Sequence, residues 1–348
     1  MAKRCIVTAD DLPGILYSDD NFATFTEVGM PEYQHTLWPV VGDNSGNWVV
    51  GGYDAVTPFA KIFYSHDNGV TWYDSDFVGS EYGEITAIAT DNLGNWVAVT
   101  GSGSGYYGHI LLSTDNGETW TIVHICNDGD PDGYSLYRDI ESVRYGNGAW
   151  VAITRCDIYR STDGSTWAPI EYIDDNPSLQ SVATDGAGNW LIVATYGNYY
   201  NAVLDTDPSQ VYGSDDNGLT WSLVYQDDTE DYFWSIETDK NGVWCIGTES
   251  WGGRSLIFRS TDLGVSWDEV FYRAGGIQFY TIATDEQGTW IATCWTSEDY
   301  ALLLISEDDG ETWLPWLPET DNYSTFGVAF GGSLCPAPEI NVGDVDFV

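Results

Sequence analysis

The octapeptide Ser-x-Asp-x-Gly-x-Thr-Trp returns about every fifty residues, and a period of that length commits a chain to a repeat architecture. Complete copies stand at Ser65–Trp72, Ser113–Trp120, Ser214–Trp221, Ser260–Trp267 (with Ser266 for Thr) and Ser306–Trp313. A sixth, Ser161–Trp167, is one residue shorter. A seventh, Ser18–Phe25, keeps Ser18 and Asp20 but has Phe22 in place of Gly and Phe25 in place of Trp. Seven copies of one local solution imply seven equivalent units rather than seven activities.

Between these copies lies a second motif, Asp-x-x-Gly-x-Trp, at Asp43–Trp48, Asp91–Trp96, Asp185–Trp190, Asp239–Trp244 and Asp285–Trp290, trimmed at Tyr145–Trp150. Asp or Asn followed by Gly between β-branched and aromatic runs predicts a hairpin, because Gly accepts positive φ and the Asp side chain bonds the turn's own amides. Each repeat therefore resolves into four strands, in the second full unit Ile85–Thr90, Asn95–Thr100, His109–Ser113 and Thr119–Val123. Four-stranded antiparallel units set around a ring make an all-β, seven-bladed β-propeller. Twelve of the seventeen tryptophans occupy the two motif positions, which assigns most of the aromatic content to the packing between units.

Six units run from about Thr36 to Trp316, and the ends supply the seventh. Cys5–Thr8, Gly14–Ser18 and Thr24–Val28 read as its second, third and fourth strands, and Thr325–Phe330 as its first. Such a closure joins both termini in one sheet and leaves no open edge. The expected organisation is one domain over residues 1–331, its last blade built from about 3–28 plus 325–331, followed by an extended tail over 332–348 containing Pro336 and Pro338.

Eleven Lys and Arg face fifty-four Asp and Glu, a formal charge of −43. That field repels nucleic acid and anionic lipid, and favours cationic partners or divalent ions. The N-terminal strand leaves no room for a signal peptide, and no run approaches a membrane-spanning length, so cytosolic synthesis without membrane insertion is expected. The six cysteines lack paired spacing; Cys5, Cys156, Cys245 and Cys294 lie in or beside second strands as small apolar residues, while Cys5 and Cys335 fall near the closing blade.

The octapeptide resembles the Asp-box, or bacterial neuraminidase repeat. The resemblance implies a propeller whose Asp67, Asp115, Asp163, Asp216, Asp262 and Asp308 serve turn amides rather than catalysis. Proteins similar in this respect include sialidases, xyloglucan-cleaving glycosidases, sortilin-type receptors, photosystem II assembly factors and phage virion proteins. The sialidase pattern of an early Arg-Ile-Pro and three converging arginines has no counterpart: the early strand reads Lys3-Arg4-Cys5-Ile6-Val7.

Strand order places both kinds of turn on one face. The opposite face receives the loops between second and third strands and the connections between blades, which are uneven and rich in aromatics. Recognition is expected there, on Tyr106, Tyr107, Tyr199, Tyr200, Trp251, Arg254, Trp295 and Tyr300, with Tyr53, Phe59, Tyr212, Tyr232 and Trp234 as further loop aromatics. Asp128, Asp130 and Asp132, with Gly133 next and Asp139 at the twelfth position, have the oxygen spacing of a calcium loop without flanking helices; a solvated acidic turn is the alternative.

Two classes of function fit. One is a non-enzymatic virion component of a phage, on tail or capsid, that contacts a host surface glycan or protein or other virion proteins, without a catalytic signature and compatible with a homo-oligomer. The other is a glycan-cleaving enzyme, sialidase-like or another glycoside hydrolase, with paired acids drawn from Asp205, Glu249, Glu298 and Asp299. A cytoplasmic assembly factor resembling the photosystem II propellers is a further alternative.

Overall fold

A computed structural model describes residues 3–9, 14–20, 22, 24–30, 35–54, 59–77, 83–101, 107–126, 139–173, 177–196, 208–227, 231–249, 254–274, 277–296, 301–316 and 325–331. Chain order gives β1 (Arg4–Ala9), β2 (Gly14–Ser18) and β3 (Thr26–Gly29), then blade 1 as β4 (His35–Gly42), β5 (Trp48–Asp54), β6 (Ala60–Ser65) and β7 (Tyr73–Asp74). After β8 (Asp76–Phe77), blade 2 is β9 (Ile85–Thr90), β10 (Trp96–Thr100), β11 (His109–Ser113) and β12 (Thr119–Ile125). Blade 3 is β13 (Ile140–Gly146), β14 (Ala149–Thr154), β15 (Asp157–Ser161) and β16 (Ala168–Tyr172); blade 4 is β17 (Pro177–Thr184), β18 (Trp190–Tyr196), β19 (Gln210–Ser214) and β20 (Ser222–Gln226). Blade 5 is β21 (Tyr232–Thr238), β22 (Trp244–Glu249), β23 (Arg254–Ser260) and β24 (Asp268–Ala274); blade 6 is β25 (Ile277–Thr284), β26 (Trp290–Thr296), β27 (Ala301–Ser306) and β28 (Leu314–Trp316). Finally β29 (Thr325–Gly331) pairs with β1, Cys5 opposite Phe330 and Val7 opposite Val328, and blade 7 has the order β29-β1-β2-β3. The seven-bladed all-β ring expected from the repeats is the fold found, closed through both ends of the chain.

The first strands of the blades, β4, β9, β13, β17, β21, β25 and β29, each touch the next around the ring and so enclose a central channel. The core is not at that axis but in seven clusters, one between each pair of neighbouring blades. Trp48, Trp96, Trp190, Trp244 and Trp290 are wholly buried there, and each donates its surroundings to one interface rather than to a shared centre. Burying a ring of that size removes about 150–250 Å² of surface, or roughly 4–6 kcal/mol each at ~25 cal/mol/Å², an upper bound because unfolded chains are partly compact.

The Asp-box works as a local hydrogen-bond device. In the first copy the Ser65 hydroxyl accepts the Gly69 amide and donates to Asp67, while Asp67 accepts the Thr71 amide at 2.8 Å and the Thr71 hydroxyl. Trp72 then donates its indole N–H back to the Gly69 carbonyl. Gly69 has φ +80°, and a Cβ there would stand 2.5 Å from Ile6 of blade 7, so the glycine serves both the turn and the approach of the preceding blade. The boxes of blades 1, 2, 4 and 6 are also tied to the other turn of their own blade: Asn68 N–H to Gly46 O, Asn116 N–H to Gly94 O, Asn217 N–H to Gly188 O and Asp309 N–H to Gly288 O. Both kinds of turn therefore share one face, as strand order requires.

Arginines tie that face together between blades. Arg4 of blade 7 donates to the Asn68 carbonyl of blade 1, Arg160 of blade 3 to Asn217 O of blade 4 at 2.9 Å, and Arg259 of blade 5 to Asp309 O of blade 6 at 2.9 Å. Blade 7 departs from the pattern. Phe22, φ +67°, occupies the glycine position of the degenerate box, is 2% exposed, stacks on Phe25 at 6.3 Å and meets Phe330 edge-on at 5.8 Å. Three phenylalanines thus fill the interface that two tryptophans fill elsewhere. Cys5, Cys126, Cys156, Cys245 and Cys294 are free thiols, and burial pushes Cys5, Cys245 and Cys294 well above the ordinary thiol range.

Candidate channel-mouth site

One irregularity recurs in every blade. The pairing of each first strand with its second slips by one residue, at Leu37/Val40, Ile85/Ala87, Ile140/Ser142, Leu179/Ser181, Phe233/Ser235, Phe279/Thr281 and Thr325/Val328. A β-bulge leaves an extra residue out of the ladder and re-aims its side chain. The extra residues include Thr86, Glu141, Gln180, Trp234 and Tyr280, with Trp38 and Pro39 in blade 1 and Phe326 and Gly327 in blade 7. In blades 1 to 6 apolar partners flank the bulge at a spacing of three: Ile140 and Val143, Leu179 and Val182, Phe233 and Ile236 are all at most 1% exposed. Those flanking residues keep the packing between blades while the bulged residue, only half-buried, is released to the channel.

The channel is a cavity of about 710 Å³ whose walls include Trp38, Thr86, Glu141, Gln180, Trp234 and Tyr280. Each first strand runs toward the Asp-x-x-Gly turns, so residues early in it lie near the opposite end. Bulged side chains have partners at that end. Tyr280 OH bonds Gln278 Oε1 at 3.4 Å, Gln180 Nε2 bonds Ser178 and Thr195, and Trp38 meets Tyr53 edge-on at 5.8 Å.

Charges divide between the two ends. At the Asp-box end, Lys3 and Lys240 hold Glu286 at 3.2 and 2.7 Å, and Arg144 lies 3.5 Å from Glu237. Burial works against ionised Glu286, but the two ammonium groups outweigh it and leave its carboxyl below the usual range. At the other end, Asp139 and Glu141 share one guanidinium, Arg155, whose Nε is 3.1 Å from Glu141 Oε1 and whose Nη2 is 3.7 Å from Asp139 Oδ2, and Glu84 feels the charges of both acids. Burial and then the charges of Asp139 and Glu141 push Glu84 up to about 7. Burial also raises Glu141 to about 7, against the opposing pull of Arg155. A pair of carboxyls with ordinary pKa near 4.5 is thereby poised near neutrality.

The residues singled out from sequence divide as follows. Tyr107 is 45% exposed in the segment that enters β11, on the expected face. Arg254 opens β23 and is held by Asp231 at 2.6 Å, the Asp231 carboxylate being 5% exposed. Trp295 lies in β26 opposite Gln278. Tyr106, Tyr199, Tyr200, Trp251 and Tyr300 lie outside the described residues, as do Asp128, Asp130 and Asp132 of the calcium-like loop and the enzyme candidates Asp205, Glu298 and Asp299. Asp139, the last member of that loop, is described and faces Arg155. Among the described residues no three Asp, Glu, His or Cys side chains converge closely enough to hold a metal ion.

Four aromatics are corrected: Tyr53 belongs to β5, Trp234 and Tyr232 to β21 and Tyr212 to β19, not to loops, because the strands extend further toward this face than turn signals suggested. Sequence reading missed Glu84 and Glu141 altogether. The available signal was the apolar-x-small-apolar run, Ile140-Glu141-Ser142-Val143 and its counterparts, in which a spacing of three breaks strand alternation.

Residues 63–74 match the BNR/Asp-box repeat family. No curated protein sequence matches the chain. Among solved structures the fold is similar to YCF48 bound to D1 peptide, at 17% identity and TM-score 0.56, covering 82% of this chain and 83% of that one. It is also similar to the GH74 xyloglucanase of Xanthomonas campestris, at 14% identity and TM-score 0.63, covering 82% of this chain and 46% of that one. A Hadza microbial sialidase gives 14% identity and TM-score 0.53, covering 85% of this chain and 66% of that one. At such identities the likeness establishes the propeller and not an activity.

Proposed function

We propose that this Asp-box β-propeller is a non-enzymatic binding protein, a phage virion component on tail or capsid that grips a host surface glycan or protein, or a neighbouring virion protein, with the face opposite its Asp-boxes. The observation that carries the binding reading is the unequal use of polar groups at the two ends. On the Asp-box face the carboxylates and turn amides are consumed by one another and by braces between blades. At the other end, bulges present Glu141, Gln180, Trp234 and Tyr280 to a wide cavity. A concave site with aromatic walls and a few convergent polar groups is the usual form of a ligand site. Virion placement is supported by the acidic composition and by the resemblance of the repeats to those of virion proteins. Calcium held by Asp128, Asp130, Asp132 and Asp139 belongs to the same proposal.

A glycan array probed with the purified protein, with and without calcium, tests ligand class and metal together. Retained binding after Tyr107→Ala combined with Arg254→Ala would overturn the choice of face. Mass spectrometry of purified phage particles tests placement, and absence of the chain from them would overturn it.

A second reading, a glycan-cleaving enzyme, is favoured by one observation: Glu84 and Glu141 both sit near 7 in one mouth, and a hydrolase needs one protonated and one ionised carboxyl. Turnover of aryl glycosides that disappears in Glu141→Gln would establish it.

A further inference from the structure

We infer that the channel mouth binds an organic cation, an ammonium or guanidinium group on an apolar or aromatic stem, with its charge against Glu84 and Glu141 and its stem against Trp234 and Tyr280. The inference rests on the reading that this end of the channel is the recognition end, and adds what it recognises.

The order of blades makes the mouth two-sided. Blades 2 and 3 contribute Glu84, Asp139, Glu141 and Arg155, while blades 5 and 6, across the channel, contribute Trp234 and Tyr280. Asp139 and Glu141 share the one guanidinium, Arg155, and Glu84 is a third acid beside them. Among the described residues no ammonium or guanidinium pairs with Glu84, whose neighbours Asp139 and Glu141 are like charges. The neighbouring strand β17 adds no ionisable side chain, only Gln180. An anionic ligand would meet this excess, whereas a cation completes it. Aromatic side chains in the same cavity suit such a ligand twice, by covering an apolar stem and by attracting positive charge to the ring. A cavity of about 710 Å³ holds a Lys or Arg side chain with a neighbouring residue, within the ordinary range of ligand sites.

The test is calorimetry of the whole chain with acetyl-Arg-Trp-amide, with spermidine, and with the neutral acetyl-citrulline-Trp-amide. The expected result is binding of the arginine dipeptide, weakened about tenfold or more in Glu84→Gln/Glu141→Gln and in Trp234→Ala. Spermidine binding with equal sensitivity would identify a free amine as source; binding of the dipeptide alone would identify a Lys or Arg side chain of a partner. Equal affinity for the citrulline peptide, unchanged affinity in the double variant, or no binding of either cation overturns the inference. If the double variant keeps full array binding while Tyr107→Ala/Arg254→Ala loses it, the cation assignment falls and the recognition face stands.

Discussion

Arg160 in blade 3 donates its Nε–H to the backbone oxygen of Asn217 in blade 4, 2.9 Å away, and so closes one inter-blade seam from the Asp-box side. A hydrogen bond from a charged donor contributes about 1.5–3 kcal/mol, less where water competes. Arg160→Met keeps most of the stem and removes the donor. It is expected to lower stability to urea by about 1–2 kcal/mol, with unchanged binding at the far end. A midpoint equal to that of the parent protein would show the seam closed by packing alone.

Gly117 separates two roles of the Asp-box glycine. It has φ +90°, and a Cβ would lie 2.6 Å from Val49 Cγ2 of the preceding blade; Gly186, in the Asp185–Trp190 turn rather than an Asp-box, has φ +73° with nothing within 4 Å and serves as the comparison. Gly186→Ala should cost about 1–2 kcal/mol from backbone strain alone. Gly117→Ala adds overpacking and should cost about 2–5 kcal/mol. Equal losses in urea melts would mean that the close approach of blades is not enforced at this residue.

Phe22→Gly sets two effects against each other. It relieves positive φ at a bulky residue, a gain of about 1–2 kcal/mol, and empties a buried site, a loss of about 3–5 kcal/mol. The loss wins, so the variant should be less stable by about 1–4 kcal/mol, with hydrogen exchange rising first in β1, β2 and β29. A stabilised variant would mean that blade 7 is strained by Phe22 rather than filled by it.

Stability should depend on pH with opposite signs at the two ends. The Thr166 and Ser165 amides hold Asp163 at about 2, and the Thr220 amide and hydroxyl hold Asp216 at about 2, both below the ordinary 3.8. Depressed carboxyls give stability that is present above the unfolded value and lost as pH falls from near 4 through 2. Glu84 and Glu141 are raised from 4.5 to about 7, so their contribution is full below 4.5 and lost as pH rises through 7. Denaturation midpoints should peak between about pH 4 and 5. Glu84→Gln/Glu141→Gln should flatten the decline toward neutral pH and spare the acid limb; a decline that persists would remove these residues from its cause.

What could be read in the sequence follows from the range of the interactions involved. An Asp-box is closed by bonds four residues apart, such as Thr71 N–H to Asp67, so the octapeptide itself carries the turn, and seven turns carry the ring. Even blade 7 was legible, because Thr325–Phe330 had no partners of its own and Cys5–Thr8 needed one. The mouth was not. Glu141 differs from other acids only in the slip between Ile140 and Ser142 against β14, and that slip is a relation between strands. Among fifty-four acidic residues, composition offers no way to single it out. Trp234 reads as a loop aromatic in sequence because its neighbours Tyr232 and Phe233 extend a strand that turn chemistry does not mark.

The seven bulges have a consequence for how such a molecule diversifies. Burial of the flanking pairs, Leu179 with Val182 or Phe279 with Ile282, holds each interface whatever residue stands between. Blade by blade, one side chain can be exchanged at the mouth with little cost to the ring, and seven such positions multiply into a large repertoire without a single insertion. Related propellers can thus change specificity by point substitution on an unaltered scaffold, and comparing only those seven residues offers a compact code for sorting them by ligand.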